Sequence, residues 1–151
     1  MSRAVVVNGG RVNYVQNISV GHHLFPADEP VVSGGLDAGP DPYELLLAAL
    51  GACVSITLRM YAERKQWPLE SVEVRLTYAR VHAEDCATCD GEPRLSDAID
   101  VEVSVVGDLS GDQHRRLIEI AGRCPVHRTL TSSMQISTRP APDGSDTLAW
   151  Q

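Results

Sequence analysis

The sequence predicts an α+β fold, and three patterns support this prediction. Short β-rich runs lie in the first 40 residues, a long apolar helix pattern begins at Pro42, and two alternating apolar–polar runs follow it. Strands and helices in this order, without regular strand–helix alternation, are typical of an α+β domain. The 151 residues suffice for one domain. We expect that domain to span residues 1–139, and residues 140–151 to form a loose tail.

The N-terminal region is predicted to form a β-meander. Two β-rich runs surround Asn8-Gly9-Gly10, which is a strong signal for a hairpin, and residues 18–25 form a further candidate strand. The stretch at residues 26–42 is rich in Pro, Gly and Asp. We therefore expect an irregular connection before the helix.

The central helix has clear signals at its start. Asp41 is a good N-cap, Pro42 suits the first helical position, and Glu44 completes a capping-box pattern. A run rich in Leu and Ala carries the helix to about Lys65, a length of about 35 Å at 1.5 Å per residue. Its first half is apolar nearly all round, so we expect burial on most sides, with a second chain as one source of cover.

The second half of the chain is predicted to contain a strand pair, a second helix and two short elements. Residues 71–82 and 98–107 alternate as half-buried strands that should pair. Ser110 and Gln113 form a second capping box, and the helix that they open should close at Cys124-Pro125. A short helix at residues 126–133 and a last strand at residues 134–139 would follow.

Composition narrows the classes of function. The net charge is −7 and no Lys/Arg cluster is present, which argues against nucleic-acid binding. The start does not resemble a signal peptide, and the longest apolar run, residues 45–54, is shorter than the roughly 20 residues of a membrane span. We therefore expect a cytoplasmic protein.

Two of the four cysteines, Cys53 and Cys124, are candidate reactive groups. Cys53 lies in the middle of the apolar helix with no base beside it in sequence, so an inert buried thiol is one interpretation and a thiol activated from elsewhere in the fold is the other. Cys124 is flanked by cations, including His127, that favour a thiolate, whereas the end of the helix predicted there opposes one. The two cysteines suggest an attacking and a resolving thiol, with two buried cysteines as the alternative.

The other two cysteines, Cys86 and Cys89, form a Cys-x-x-Cys pair in a polar stretch, with His82 upstream. This spacing provides half a zinc site, and no second pair completes four ligands. An exposed dithiol or a non-catalytic disulfide is the favoured interpretation. Zinc held by Cys86, Cys89 and His82 is the alternative, and we predict no other cofactor.

Together these motifs resemble one known family. The runs GGLDAGPDPYELLLAALGAC and AGRCPVHRTL are similar to motifs of the OsmC/Ohr family of thiol-dependent peroxidases, and the resemblance spans residues 23–138. It implies an intertwined homodimer that reduces organic hydroperoxides with an external dithiol as part of the oxidative stress response. It also implies that Cys53 is the peroxidatic cysteine, Cys124 the resolving cysteine, and Glu44 the acid that orients an active-site arginine. For Glu44 the capping box is the alternative role.

One position departs from the family pattern. The family arginine would fall at Gly34, and no arginine lies between Arg11 and Arg59. Arg3, Arg11, Arg123 and Arg128 are candidate substitutes. Two alternatives to the peroxidase therefore stay open: a non-catalytic protein of the same fold that binds or senses a small apolar ligand at the dimer interface, and a metal-binding module.

Overall fold

The structure, a computed structural model, describes residues 4–81 and 96–141, and within them it contains two antiparallel sheets. The strands β1 (Val6–Gly9), β2 (Gln16–Val20) and β3 (His23–Ala27) form the first sheet in that order. The long helix α1 (Pro42–Lys65) leads to the second sheet, which pairs β4 (Leu69–Val81) with β5 (Ser96–Gly107). Two helices follow, α2 (Gly111–Ala121) and α3 (Pro125–Leu130). The predicted α+β class is confirmed.

The N-terminal meander forms, but its turns differ from the prediction. Gly9 pairs with Gln16, so the first connection covers residues 10–15, and the tight turn expected at Asn8-Gly9-Gly10 is wrong. Asn13 reverses the chain there with a φ of 42°, a conformation that Asn tolerates better than most residues. The single strand expected at residues 18–25 is two strands, because Gly21 adopts a φ of 61° and turns the chain.

Helix α1 begins and ends as predicted. The Asp41 carboxylate accepts a hydrogen bond from the Glu44 N–H (2.8 Å), and the Glu44 carboxylate accepts one from the Asp41 N–H (2.9 Å). Gln66 ends the helix in a left-handed conformation. Helix α1 is long and apolar enough to cross a membrane, but the core helix of a soluble protein can have the same length and composition.

Within one chain, α1 buries only one face. Its buried residues follow a helical stripe, which is Leu50, Gly51, Val54, Leu58 and Ala62. The rest of the helix surface, here called the open face, exposes Leu46, Ile56 and Met60. The predicted burial on most sides is therefore wrong for the single chain, because one sheet and two short helices cover one side of α1.

The β4–β5 hairpin supplies the other half of the core. Val74 pairs with Val103, and the inward residues of both strands pack against α1 and the buried face of α2. At Gly51 a Cβ would lie 2.7 Å from Leu76 Cδ1, so this glycine allows α1 to approach β4 closely. The pairing and alternation predicted for these strands are confirmed.

The C-terminal segment differs from the prediction at two points. The Ser110–Gln113 capping box is present, but α2 ends at Ala121, before Cys124. The short helix near residues 126–133 is confirmed as α3, whereas residues 134–139 form no strand. A strand needs a neighbouring edge for its backbone hydrogen bonds, and within the described chain Ile136 is instead 84% exposed. Residues 142–151 of the predicted tail lie outside the described residues.

Candidate active site

The fold brings Cys53 and Cys124 together, although 71 positions separate them in sequence. Cys53 lies midway along α1, where it is half-buried beside Leu50 and Val54. Cys124 immediately precedes α3 and is fully buried in the same core cluster. Both thiols are unbridged, and the two side chains lie within interacting distance of each other. Their proximity is the feature that sequence alone could not provide.

Cys124 is the N-cap of α3, not the end of α2. Its Sγ accepts a hydrogen bond from the backbone N–H of His127 (3.3 Å), and Pro125 occupies the first helical position. The positive end of a helix dipole therefore faces this sulfur, and the expectation that a helix C-terminus opposes a thiolate there is wrong. The signal was present in the sequence, because Pro is favoured as the first residue of a helix.

Burial nevertheless raises the pKa of the Cys124 thiol. The interaction with Cys53 raises this pKa further, whereas the backbone N–H groups of His127 and Val126 oppose the change. Desolvation disfavours the charged form, so Cys124 keeps its proton at neutral pH. Its S–H can then donate a hydrogen bond to the sulfur of Cys53.

The loop that would carry the family arginine has a different construction. Residues 31–33 form a short 3-10 turn, which Gly34 closes with a φ of 92°, donating its N–H to the carbonyl oxygen of Val31. At Gly35 a Cβ would overlap the carbonyl oxygen of Glu29. Both positions favour glycine, so this loop places no cation at the site.

A buried carboxylate holds the same loop in place. Asp28 is buried and accepts hydrogen bonds from the backbone N–H groups of Glu29 and Leu36 (2.8 Å each) and Ala38 (3.2 Å). Burial opposes ionisation, but these donors outweigh it and lower the pKa of Asp28. The role of Asp28 is therefore to fold the loop between β3 and α1.

Of the candidate substitutes for the family arginine, Arg11, Arg123 and Arg128 are exposed. Two other arginines have contacts elsewhere. Arg59 donates to the carbonyl oxygens of Leu69 and Glu70, and Arg116 contacts Tyr61 and Glu119. In the described part of the chain the Glu44 carboxylate bonds only to the Asp41 N–H, so the structure supports its capping role. Arg3 and the zinc candidates Cys86, Cys89 and His82 lie outside the described residues. Among residues 4–81 and 96–141, no group of three or more His, Cys, Asp or Glu side chains could hold a metal ion.

Comparisons with solved structures show the same fold in several proteins. An OsmC-like protein from Mycoplasma pneumoniae has a TM-score of 0.68 at 20% identity, covering 86% of this chain and 87% of that one. An organic hydroperoxide resistance protein OsmC from Legionella pneumophila has a TM-score of 0.63 at 19% identity, with 87% and 90% covered. The organic hydroperoxide resistance protein OhrB of Bacillus subtilis has a TM-score of 0.57 at 20% identity, with 87% and 91% covered.

Sequence comparison leads to the same family. A search of curated proteins finds no match. The family model for OsmC-like proteins, however, matches residues 34–139, which include α1, both strands of the second sheet, and both cysteines of the thiol pair. Because this match covers well over half of the sequence, the chain belongs to the OsmC-like protein family.

Proposed function

We propose that this protein is a thiol-dependent peroxidase that reduces organic hydroperoxides, with Cys53 as the attacking thiol and Cys124 as the resolving thiol. The proximity of the two thiols carries the proposal, because a peroxidatic sulfur must reach its partner to form a disulfide. The hydroperoxide resistance proteins among the structures of the same fold support this choice of substrate class.

Burial supports this division of roles between the two cysteines. Cys53 is half-buried and can meet a substrate, whereas Cys124 is fully buried and its raised pKa keeps it protonated. The enclosed sulfur of Cys124 is out of reach of a substrate, so it suits the later, resolving step, in which its proton leaves with the sulfenic hydroxyl group as water. In this arrangement the S–H of Cys124 stabilises negative charge on the sulfur of Cys53, in place of the arginine that is missing at Gly34.

The proposed reaction has three steps. The Cys53 thiolate attacks the terminal oxygen of the hydroperoxide, the O–O bond breaks, and the alkoxide leaves and takes a proton from water. Cys53 is thereby oxidised to a sulfenic acid. The sulfur of Cys124 then attacks that of Cys53, releasing water and forming the disulfide. An external dithiol reduces this disulfide and is itself oxidised to a disulfide.

We further propose that the protein works as a cytoplasmic homodimer joined along the open face of α1. This face exposes the apolar side chains of Leu46, Ile56 and Met60. Exposed apolar residues in a contiguous patch favour association. Light scattering that gives the mass of a monomer at micromolar concentration would contradict this part of the proposal.

Peroxide consumption tests the proposed reaction. With dithiothreitol present, the wild type should consume cumene hydroperoxide and tert-butyl hydroperoxide, and Cys53→Ser should abolish turnover. Ser55→Ala, two residues along the same helix, is the matched control and should retain it. A wild type without turnover would exclude the peroxidase.

The Gly34 loop favours a second candidate function. Because Gly34 and Gly35 both disfavour a side chain, the loop lacks the activating cation that the family resemblance implies. A non-catalytic protein of this fold could bind or sense a small apolar ligand at the dimer interface instead. This candidate requires absent turnover together with a ligand that co-purifies or raises the melting temperature.

A further inference from the structure

A cavity lies between α1, β5, α2 and the start of α3. It has a volume of about 280 Å³ and is lined by Val54 of α1, by Val101 and Val103 of β5, and by Ile118 and Ala121 of α2. Gly122, just after α2, and His127 of α3 complete the lining. Neither cysteine of the thiol pair belongs to this lining, but Val54 follows Cys53 in α1 and His127 donates its backbone N–H to Cys124 Sγ, so the cavity adjoins the proposed peroxidase centre.

The chemistry of the lining is mostly apolar, with one polar side chain. Six of the seven lining residues have no polar side-chain atom, and His127 is the seventh. The backbone N–H of His127 donates to Cys124 Sγ, whereas its imidazole makes no hydrogen bond to any described residue. An apolar pocket with one polar group that fixes orientation is the usual form of a small-molecule site.

The volume limits the size of the ligand. An apolar cavity of about 150 Å³ already holds a benzene-sized guest. Sites for drug-sized ligands begin at about 300 Å³. The cavity volume of about 280 Å³ therefore suits a molecule with a single ring or one branched alkyl group.

The cavity opens on the α2 side. Ile118 is 42% exposed and Gly122 is exposed, whereas Val54 is 1% exposed and closes the opposite end. Gly122 contributes no side chain, which leaves room at the entrance. A ligand could therefore enter past α2 without disturbing the core stripe of α1.

From these observations we propose that the cavity binds a compact, uncharged molecule with one ring or branched alkyl group and a single hydroxyl or carbonyl that hydrogen-bonds to the imidazole of His127. The apolar walls bury the hydrocarbon part, and His127 orients the polar group. Binding at this site requires no thiol chemistry.

A pair of isosteric probes tests the proposal on the full-length protein. We would titrate the protein with 4-methylphenol and with p-xylene and follow its backbone amide signals by NMR. The two probes differ only in that 4-methylphenol has a hydroxyl group where p-xylene has a second methyl group. Both should bind saturably, with shifts at the cavity-lining residues. Saturable shifts confined to the N-terminal sheet, or no saturable binding of either probe, would overturn the proposal.

Substitution of the polar group tests the role of His127. In His127→Leu, the preference for 4-methylphenol over p-xylene should fall about three- to tenfold relative to wild type, the size of one hydrogen bond. His114→Leu, an exposed histidine of α2, is the matched control and should leave the preference unchanged. An unchanged preference in a folded His127→Leu protein would contradict the assignment.

Variants that fill the cavity test whether the probes bind there. Ala121→Leu should weaken both probes by about tenfold, which corresponds to about 1.4 kcal/mol. Gly122→Leu is a second filling variant at an exposed position with ordinary backbone angles, so it remains informative if Ala121→Leu does not fold. A folded filling variant with wild-type affinity would place the ligand elsewhere. Cys53→Ser should bind both probes as the wild type does, which separates this test from the fate of the peroxidase.

Discussion

Restoring the family arginine by Gly34→Arg should destabilise the protein. Gly34 has a φ of 92°, a region in which a residue with a Cβ costs about 1–2 kcal/mol. The new Cβ would also lie 3.3 Å from Cε2 of Tyr14, so that ring must shift by a few tenths of an ångström. We expect the free energy of unfolding to fall by about 1–2 kcal/mol, and the melting temperature by about 2–8 °C at roughly 2–4 °C per kcal/mol.

Thermal and urea unfolding, followed by circular dichroism, would measure this loss. Gly34→Ala separates the backbone cost from the effect of the guanidinium group. Gly10→Ala is the matched control, because a Cβ there meets no atom within 4 Å, and it should change stability by less than about 0.5 kcal/mol. Gly35→Ala should cost more than Gly34→Ala, since its Cβ overlaps backbone of Glu29.

Two outcomes would refute the reasoning about this loop. One is a Gly34→Arg protein as stable as the wild type, which would mean that the left-handed turn is not required. The other is a Gly35→Ala protein no less stable than Gly10→Ala, which would mean that the loop is not packed as described. Either result would reopen the position for the family arginine.

Three further predictions concern the loop carboxylate, the thiol pair and the Cys-x-x-Cys motif. Three backbone N–H groups lower the pKa of Asp28, although burial of the carboxyl group opposes this. The ionised Asp28 therefore stabilises the fold at pH values above its pKa in the unfolded chain. This stabilisation is lost as the pH falls through the lower pKa of the folded state. The melting temperature of Asp28→Asn should therefore fall less on acidification than that of the wild type, and an equal fall would contradict this. Cys124→Ser should leave a Cys53 sulfenic acid that dimedone traps after one equivalent of cumene hydroperoxide, whereas the wild type should proceed to the disulfide; equal trapping in both proteins would exclude the resolving role. Elemental analysis of protein prepared without chelator should give less than about 0.1 equivalent of zinc if Cys86 and Cys89 form no metal site, and one equivalent per chain would favour the zinc hypothesis.

Local sequence signals predicted the helices well. Both capping boxes are self-contained, because the N-cap and the residue three positions later exchange hydrogen bonds within a single turn. The alternation of β4 and β5 is equally local, since successive side chains of a strand point to opposite faces. These features need no partner from elsewhere in the chain, so the sequence contains all the information.

The errors have a common physical cause, which is competition between elements. Cys124-Pro125 could end one helix or begin another, and the packing of α3 against α1 selected the second. Residues 134–139 have strand-like composition, but a strand forms only where an edge receives it. Both choices depend on neighbours that are distant in sequence.

By itself, the sequence determined the α+β class, the bounds of α1, and the two cysteines that belong to the family motif. Only the tertiary structure decided that Cys53 and Cys124 lie within interacting distance, because the contact of α1 with the start of α3 closes a loop of about seventy residues. It also decided that Gly34 closes a left-handed turn, since the carboxylate of Asp28 holds the loop around it. The candidate site residues can therefore be read from the chain, whereas their proximity and the protonation of Cys124 depend on packing.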